Sequence, residues 1–422
     1  MRKQFELHLT DMAHGGDALG RREGKVIFVP YAMPGEEALV EIVEDKGRYA
    51  RARLIEILSP SPHRVGPPCP HFGPGKCGGC QWQHIAYPAQ LELKAAVVGD
   101  QLARLGRLPD VPVKRPLPNA SPWHYRNHVQ FSVGGDGRLG FVATDGRRVE
   151  TVEVCHLLHP LLEELFAALD LELPGLTRLS LRAGVNTGDQ MVIFETHDDL
   201  PPALESDLPI SCVLLLSDGA PANLVGSNYI TEVVAGRRFR ISAPSFFQVN
   251  TAAAEELVRV VGEYLAPAGD KTLLDAYCGV GTFALSLADK VGRVIGIEED
   301  AGAVADARLN IAELTNVEFM EGRVEALLPQ LDRPIDLAVL DPPRQGCRPD
   351  ALMTLIELAP LRVVYVSCDP ATLARDARKL AEGGYQLLEV QPVDMFPQTY
   401  HVESVALFEK SECFISHSAS LG

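Results

Sequence analysis

Alternation of apolar and polar residues at a period of two marks the first sixty positions. FELHLTDM, GGDALGR, KVIFVPYAMPGE, ALVEIVEDKGRY and ARARLIEILS are short runs separated by turns rich in Gly, Pro and Asp. Successive side chains of a strand face opposite sides, and those turn residues suit sharp reversals. The spacing predicts a small β-barrel over residues 1–59. The proline-rich stretch SPSPHRVGPPCP (59–70) then predicts a linker. A helical pattern follows in IAYPAQLELKAAVVGDQLARL (85–105), and it is expected to pack on the C-terminal part of the chain. Residues 120–240 read as strand-rich with one helix, HPLLEELFAAL, and a central unit is expected over 60–242.

The pattern changes after Ala243. Apolar runs at TLLDAY (272–277), VIGIE (294–298), VEFME (317–321), DLAVLD (336–341), RVVYVS (362–367), YQLLEVQPV (385–393) and ESVALFEK (403–410) predict seven strands. Helical patterns such as AGAVADARLNIAEL (301–314) and ATLARDARKLAEG (371–383) fill the gaps. Strands alternating with helices imply a doubly wound, mainly parallel sheet over 243–411. The last two strands are joined by a short loop and predict a terminal antiparallel hairpin. That hairpin is typical of class I methyltransferases and atypical of nicotinamide-binding sheets.

Composition narrows the class. With 46% hydrophobic and 23% charged residues, the 422-residue chain is an ordinary globular protein. It has no run of eighteen apolar residues and no signal-peptide pattern, so no membrane partner and a cytoplasmic location are expected. The net charge of −17 is unevenly spread: residues 1–130 carry 17 Lys and Arg against 13 Asp and Glu, and the remainder carries 22 against 43. A polyanion is therefore expected to be gripped mainly through the N-terminal third. No obligate protein partner is inferred.

Candidate chemistry gathers at strand ends. Asp275-Ala-Tyr-Cys-Gly279-Val-Gly281 follows the first strand of the α/β region. Its glycines allow a tight turn and close approach to a ligand. Glu298 ends the second strand, where a carboxylate accepts hydrogen bonds from both ribose hydroxyls of an adenosine. This pair fits NAD as well as S-adenosylmethionine; the missing third glycine and the hairpin favour the methyl donor. Asp341 ends the fourth strand in LDPPR, Cys368 follows the fifth in VSCDP, and Glu403 opens the antiparallel seventh in HVES. All three are thus expected at the ligand-binding edge of the sheet. Cys368 also precedes a helix, whose N-terminus is expected to favour the thiolate. Adding a thiolate at C6 of uracil turns C5 into a nucleophile able to take a methyl group. A base must then remove the C5 proton, a task suited to Glu403. Arg344 stands where amino-group methyltransferases usually carry an aromatic residue, and the Pro-Cys of cytosine-C5 enzymes is absent. Two other classes, an iron–sulfur oxidoreductase and a noncatalytic RNA-binding protein, leave the pairing of Cys368 with Glu403 unexplained.

Cys69-x7-Cys77-x2-Cys80 brings three thiols to one Gly-rich loop, a strong metal signal. With a fourth ligand, such a set suits either zinc or an iron–sulfur cluster. His71 and His84 keep a zinc site with three cysteines and one histidine open. Cys212, Cys347 and Cys413 are expected to be packing or surface residues, and Cys278 a packed one.

The chain resembles bacterial RNA (uracil-C5)-methyltransferases that carry a TRAM domain. The resemblance rests on GGDALGR…KVIFVPYAMPGE, CPHFGPGKCGGC, FFQVN, DAYCGVGTF, LDPPR, VSCDP and HVE, in family order. It implies an α/β class I methyltransferase fold with an N-terminal oligonucleotide-binding type of barrel and a central α+β iron–sulfur domain. Cys368 is the implied nucleophile and Glu403 the implied base, with Gln248, Tyr277, Glu298 and Asp341 lining the S-adenosylmethionine site. The resemblance also implies a [4Fe–4S] cluster on Cys69, Cys77, Cys80 and Cys155, rather than zinc. RNA, in particular 23S ribosomal RNA, is the implied partner. Arg48, Arg51 and Arg53 along one strand are candidates to face phosphates. Asp369 stands where the usual nucleophile motif has Asn, Thr282 where some ribosomal-RNA members have Asn, and Arg323 likewise replaces an Asn after the third strand.

Overall fold

Five strands, β1 (Gln4–Met12), β2 (Ala18–Arg22), β3 (Lys25–Val29), β4 (Glu37–Asp45) and β5 (Tyr49–Ser59), close into a barrel in the order β1-β2-β3-β5-β4. Closure pairs the strand edges that an open sheet would expose. Alternate residues, among them Leu7, Leu9, Ile27, Val29 and Val40, fill its interior. The computed structural model describes residues 4–169, 175–202, 204, 207–331 and 333–411; Cys413 lies outside them.

The predicted helix over 85–105 divides in two. Helix α1 (Tyr87–Gln101) continues as one wide π-helical turn, Leu102–Gly106, and ends at Arg107 in the left-handed region (φ 57°). Val98 and Leu102 pack into the C-terminal core. The wide turn lets Gly106 press on the C-terminal part of the chain, where a Cβ would lie 3.2 Å from the Ala374 carbonyl.

The central region holds β6 (His128–Val133), β7 (Leu139–Val142), β8 (Val149–Thr151), α2 (Pro160–Ala168), β9 (Leu176–Ala183), β10 (Gln190–Thr196), β11 (Ser211–Leu215) and β12 (Pro221–Val225). Its strands form one sheet ordered β12-β11-β10-β9-β6-β7-β8. A separate hairpin, β13 (Tyr229–Val234) with β14 (Arg237–Ser242), leads into α3 (Thr251–Leu265).

The C-terminal strands are β15 (Thr272–Ala276), β16 (Arg293–Glu298), β17 (Val317–Glu321), β18 (Leu337–Leu340), β19 (Arg362–Ser367), β20 (Tyr385–Val393) and β21 (Glu403–Lys410). They pair in the order β17-β16-β15-β18-β19-β21-β20, and β21 runs antiparallel to both its neighbours. Helices α4 (Thr282–Leu287) and α5 (Ala301–Asn310) join α3 on one face. Helices α6 (Val324–Leu327), α7 (Pro349–Leu358) and α8 (Pro370–Glu382), with α1, cover the other. Burial on both faces explains why these strands read as nearly continuous apolar runs. The pattern predicted for 301–314 overran the helix, which stops at Asn310 before the chain turns through left-handed Ala312 (φ 51°). Among the described residues no helix is long and apolar enough to cross a membrane.

Candidate active site

The turn after β15 builds one wall of the site. Tyr277 (φ 66°), Gly279 (φ 55°) and Gly281 (φ 89°) are all left-handed, and the Tyr277 and Cys278 N–H groups donate to the Ile297 carbonyl. Glu298 accepts from the Gly279 N–H at 3.0 Å and, through its other oxygen, from the N–H groups of Glu299 and Asp300 at 2.8 and 2.9 Å. A carboxylate has about four acceptor positions, so room remains for hydroxyl donors. Beneath the turn lies Asp275, fully buried: one oxygen accepts from the Ala284 N–H at 2.7 Å, the other has no partner, and burial pushes its carboxyl up to about 8. Strand-end reasoning does not reach Asp275, whose signal is an aspartate inside an apolar strand.

Gln248 lies in the segment after β14, and this segment is tied down from two sides. Asn127 donates to the Gln248 carbonyl at 3.1 Å, and buried Asp306 of α5 accepts from Ser242 and Ser245. Gln248, Tyr277 and Asp341 occur on three separate connections, and Glu298 ends β16. Asp341 lies beyond β18, where burial and the nearby Glu298 charge hold its carboxyl above the usual range.

Cys368 and Glu403 meet through strand register. The last residues paired between β19 and β21 are Ser367 and Ser404, and Cys368 and Glu403 are the next residues outward. Glu403 is buried; burial and then the Asp341 charge raise its pKa well above the usual carboxylate range, while Arg344 opposes them. Cys368 departs from the sequence expectation. Its thiol is pushed up to about 11 by burial and by Glu403, against the lowering influence of the Arg344 guanidinium. The start of α8 does not serve the thiol, because Asp369 occupies it: one Asp369 oxygen accepts from the Ala371 and Thr372 N–H groups, both at 2.9 Å. The other oxygen lies 3.4 Å from His14 of the barrel. Asp369 thus caps the helix and touches the barrel turn.

Arg344 is the functional candidate that strand-end reasoning missed. Its guanidinium lies 3.1 Å from Nδ1 of His401 and near enough to Cys368 to draw the thiol's pKa down. Burial and the cation hold His401 down at about 4, so the ring is neutral and accepts.

A second concentration of chemistry lies in a cavity of about 460 Å³, lined by Cys69, Cys77, Cys80, Cys155 and His71 among others. Burial and the neighbouring thiols raise Cys77 to about 11 and Cys80 to about 12. His84 takes no part; it is buried against the Ala32 carbonyl at 3.3 Å and held down at about 4 by burial. Cys212, Cys278 and Cys347 are packed in the cores. On the barrel Arg48, Arg51 and Arg53 are all exposed, and Arg51 and Arg53 pair with Asp17 (3.1 Å) and Glu41 (2.6 Å). A groove of about 810 Å³ between barrel and α1 is lined by Arg21, Arg48, Arg51, Arg104 and Tyr49 and reaches His14.

Family models match in two places: the TRAM domain at residues 2–55 and the tRNA (Uracil-5-)-methyltransferase family at residues 222–411. An uncharacterized RNA methyltransferase of Gloeobacter violaceus is 38% identical, with 96% of each chain covered. The chain belongs to the TRAM-domain RNA (uracil-5-)-methyltransferases. Another RNA methyltransferase, of Streptomyces avermitilis, is also 38% identical over 97% of this chain and 99% of the relative. Among solved structures, the Pyrococcus abyssi tRNA (uracil-54, C5)-methyltransferase in complex with S-adenosyl-L-homocysteine is 28% identical. It superposes with a TM-score of 0.76, covering 96% of this chain and all of that one. As a family member, the protein methylates uracil C5 in RNA from S-adenosylmethionine, and the barrel is its TRAM domain.

Proposed function

We propose that this methyltransferase works through a covalent Cys368–RNA adduct resolved by Glu403. The observation that carries the reading is the β19–β21 register, which brings a thiol and a buried carboxyl together at the sheet edge. S-adenosylmethionine supplies an electrophilic methyl group on a positively charged sulfur. Glu298 would accept hydrogen bonds from its ribose hydroxyls, Asp341, Tyr277 and Gln248 would line its site, and buried Asp275 anchors the start of α4 beside the Gly turn. Arg344 lies against the thiol, lowers its pKa and stabilises the thiolate that adds to C6. The ionised Glu403 then takes the C5 proton, and the electrons left behind restore the ring and expel the thiolate.

We divide the work along the chain as residues 1–59 for RNA grip, 60–242 for the cysteine site, and 243–411 for catalysis. The groove beside the barrel sets Arg21, Arg48, Arg51 and Arg104 and the Tyr49 ring against Asp11, Asp17 and Asp100, so its cations and ring are what single-stranded RNA would meet. Cys69, Cys77, Cys80 and Cys155 would hold a [4Fe–4S] cluster. Among the described residues no three donors are close enough to share one metal ion. Four thiols around a 460 Å³ cavity favour a larger group over zinc. No electron transfer is required, so its place is structural: Cys77→Ala is expected to lose iron and stability or RNA binding before chemistry.

The substrate we favour is 23S ribosomal RNA, because the cysteine site accompanies the barrel. The archaeal likeness favours transfer RNA as the second reading. Labelled donor and 5-fluorouridine transcripts of each RNA test both: the true substrate forms a persistent methylated adduct with the protein, abolished by Cys368→Ala. Failure to trap an adduct with any ribosomal or transfer RNA overturns the covalent mechanism.

A further inference from the structure

Residues 394–402 join β20 to β21 and deliver His401 and Glu403 to the sheet edge. Other parts of the molecule hold this segment. From the stretch after the cysteines, Gln81 and Trp82 donate their N–H groups to the Gln398 carbonyl at 3.2 and 3.0 Å. Gln90 of α1 makes a reciprocal pair with Gln398. Its Nε2 donates to Gln398 Oε1, and its Oε1 accepts from the Gln398 N–H, both at 3.0 Å. One turn further along α1, Lys94 lies 2.5 Å from Asp394 and donates to the Phe396 carbonyl at 3.0 Å. Tyr125 reaches the Pro397 carbonyl at 3.1 Å, and Asn250 reaches that of Met395 at 3.2 Å. From the barrel, Gly16 presses on Tyr400: a Cβ there would come within 2.8 Å. Gln90, Lys94, Asp394 and Gln398 are all buried.

Gln398 itself is left-handed, with φ 69°. A side-chain-bearing residue keeps that conformation only when its surroundings impose it. Cys368, Asp341 and the Gly turn sit on other connections, so the segment leads into the base and not into the nucleophile.

We propose that Gln90 and Gln398 are positioning residues for Glu403, holding the 394–402 segment so that its carboxylate meets the C5 proton. This rests on the roles given above to Cys368 and Glu403. In the step concerned, the C5–H bond breaks and the proton passes to Glu403. The released electron pair forms the C5–C6 double bond, and the C6–S bond breaks to return the thiolate to Cys368. Loosening the segment therefore slows elimination more than methyl transfer, although His401 also reaches Arg344.

The experiment uses the full-length protein, labelled donor and a transcript that the wild type methylates. Methylated covalent adduct and released methylated RNA are resolved on denaturing gels over a single turnover. Gln90→Met is expected to accumulate adduct, with release slowed at least tenfold more than adduct formation. Gln398→Gly removes the Gln398 Oε1 half of the pair from the loop side, keeps the backbone N–H that Gln90 Oε1 accepts, and leaves the left-handed conformation open; it serves if Gln90→Met does not fold. Glu403→Gln is the reference. If Glu403→Gln accumulates adduct and both glutamine variants slow the two steps equally or neither, the positioning role is overturned. If Glu403→Gln itself fails to accumulate adduct, the role of Glu403 falls first.

Discussion

Glu403 lies buried at the strand start where the Asp341 charge reaches it, and the two carboxyls oppose each other's ionisation. Glu403 acts as a base only when ionised, and Cys368, pushed up to about 11, acts as a nucleophile only as a thiolate. Both groups hold protons too tightly near neutral pH, so each lost proton favours the reaction. Methylation is expected to rise from pH 6 to pH 9, by about tenfold per unit where one ionisation limits the rate. Initial rates with labelled donor give the profile; a flat or falling profile contradicts these assignments.

Arg344 is exposed, yet its guanidinium reaches His401 and lowers the pKa of the Cys368 thiol. Arg344→Gln removes the cation that favours the thiolate and is expected to slow adduct formation by roughly 10²-fold. Arg344→Lys is expected to recover only part, since a point charge cannot reproduce a planar guanidinium. Unfolding midpoints close to wild type would separate this loss from a folding defect.

The Asp369 cap predicts a graded series. Asp369→Asn keeps an acceptor for the Ala371 and Thr372 N–H groups and loses only the partly exposed contact with His14. It is expected to stay within about 1 kcal/mol of wild type. Asp369→Ala removes the cap and is expected to cost about 1 kcal/mol more. Urea denaturation of the three proteins checks the order.

Lys94 and Asp394 form an ion pair with both side chains fully buried. Lys94→Met leaves a carboxylate in an apolar site and is expected to cost about 3–5 kcal/mol. Adding Asp394→Leu is expected to restore part of that loss, giving a clear coupling energy in a double-mutant cycle. Additive losses would show that the pair does not act as a unit.

Much of this was legible along the chain. Strands β17, β19, β20 and β21 occur where the apolar runs stand, because burial on both faces imposes uninterrupted hydrophobicity. Strand ends also located Glu298, Asp341, Cys368 and Glu403, since ligands of such sheets gather at one edge. Local reasoning failed for the Cys368 thiol. The helix start was correctly placed, but its N–H groups go to Asp369, a competition decided by side-chain geometry.

The sequence by itself determined the barrel, the seven-stranded order of elements, the Gly turn and the residue types of the chemistry, because periodicity and turn preference act over a few neighbouring residues. Only the tertiary structure decided that Arg344 meets His401, that Asp369 meets His14, and that Gln90 clasps Gln398. These contacts join residues as far apart as His14 and Asp369, 355 positions, and carry no periodic signature. They exist because packing brings the barrel, α1 and the last hairpin around one segment, where each buried polar group must find a partner.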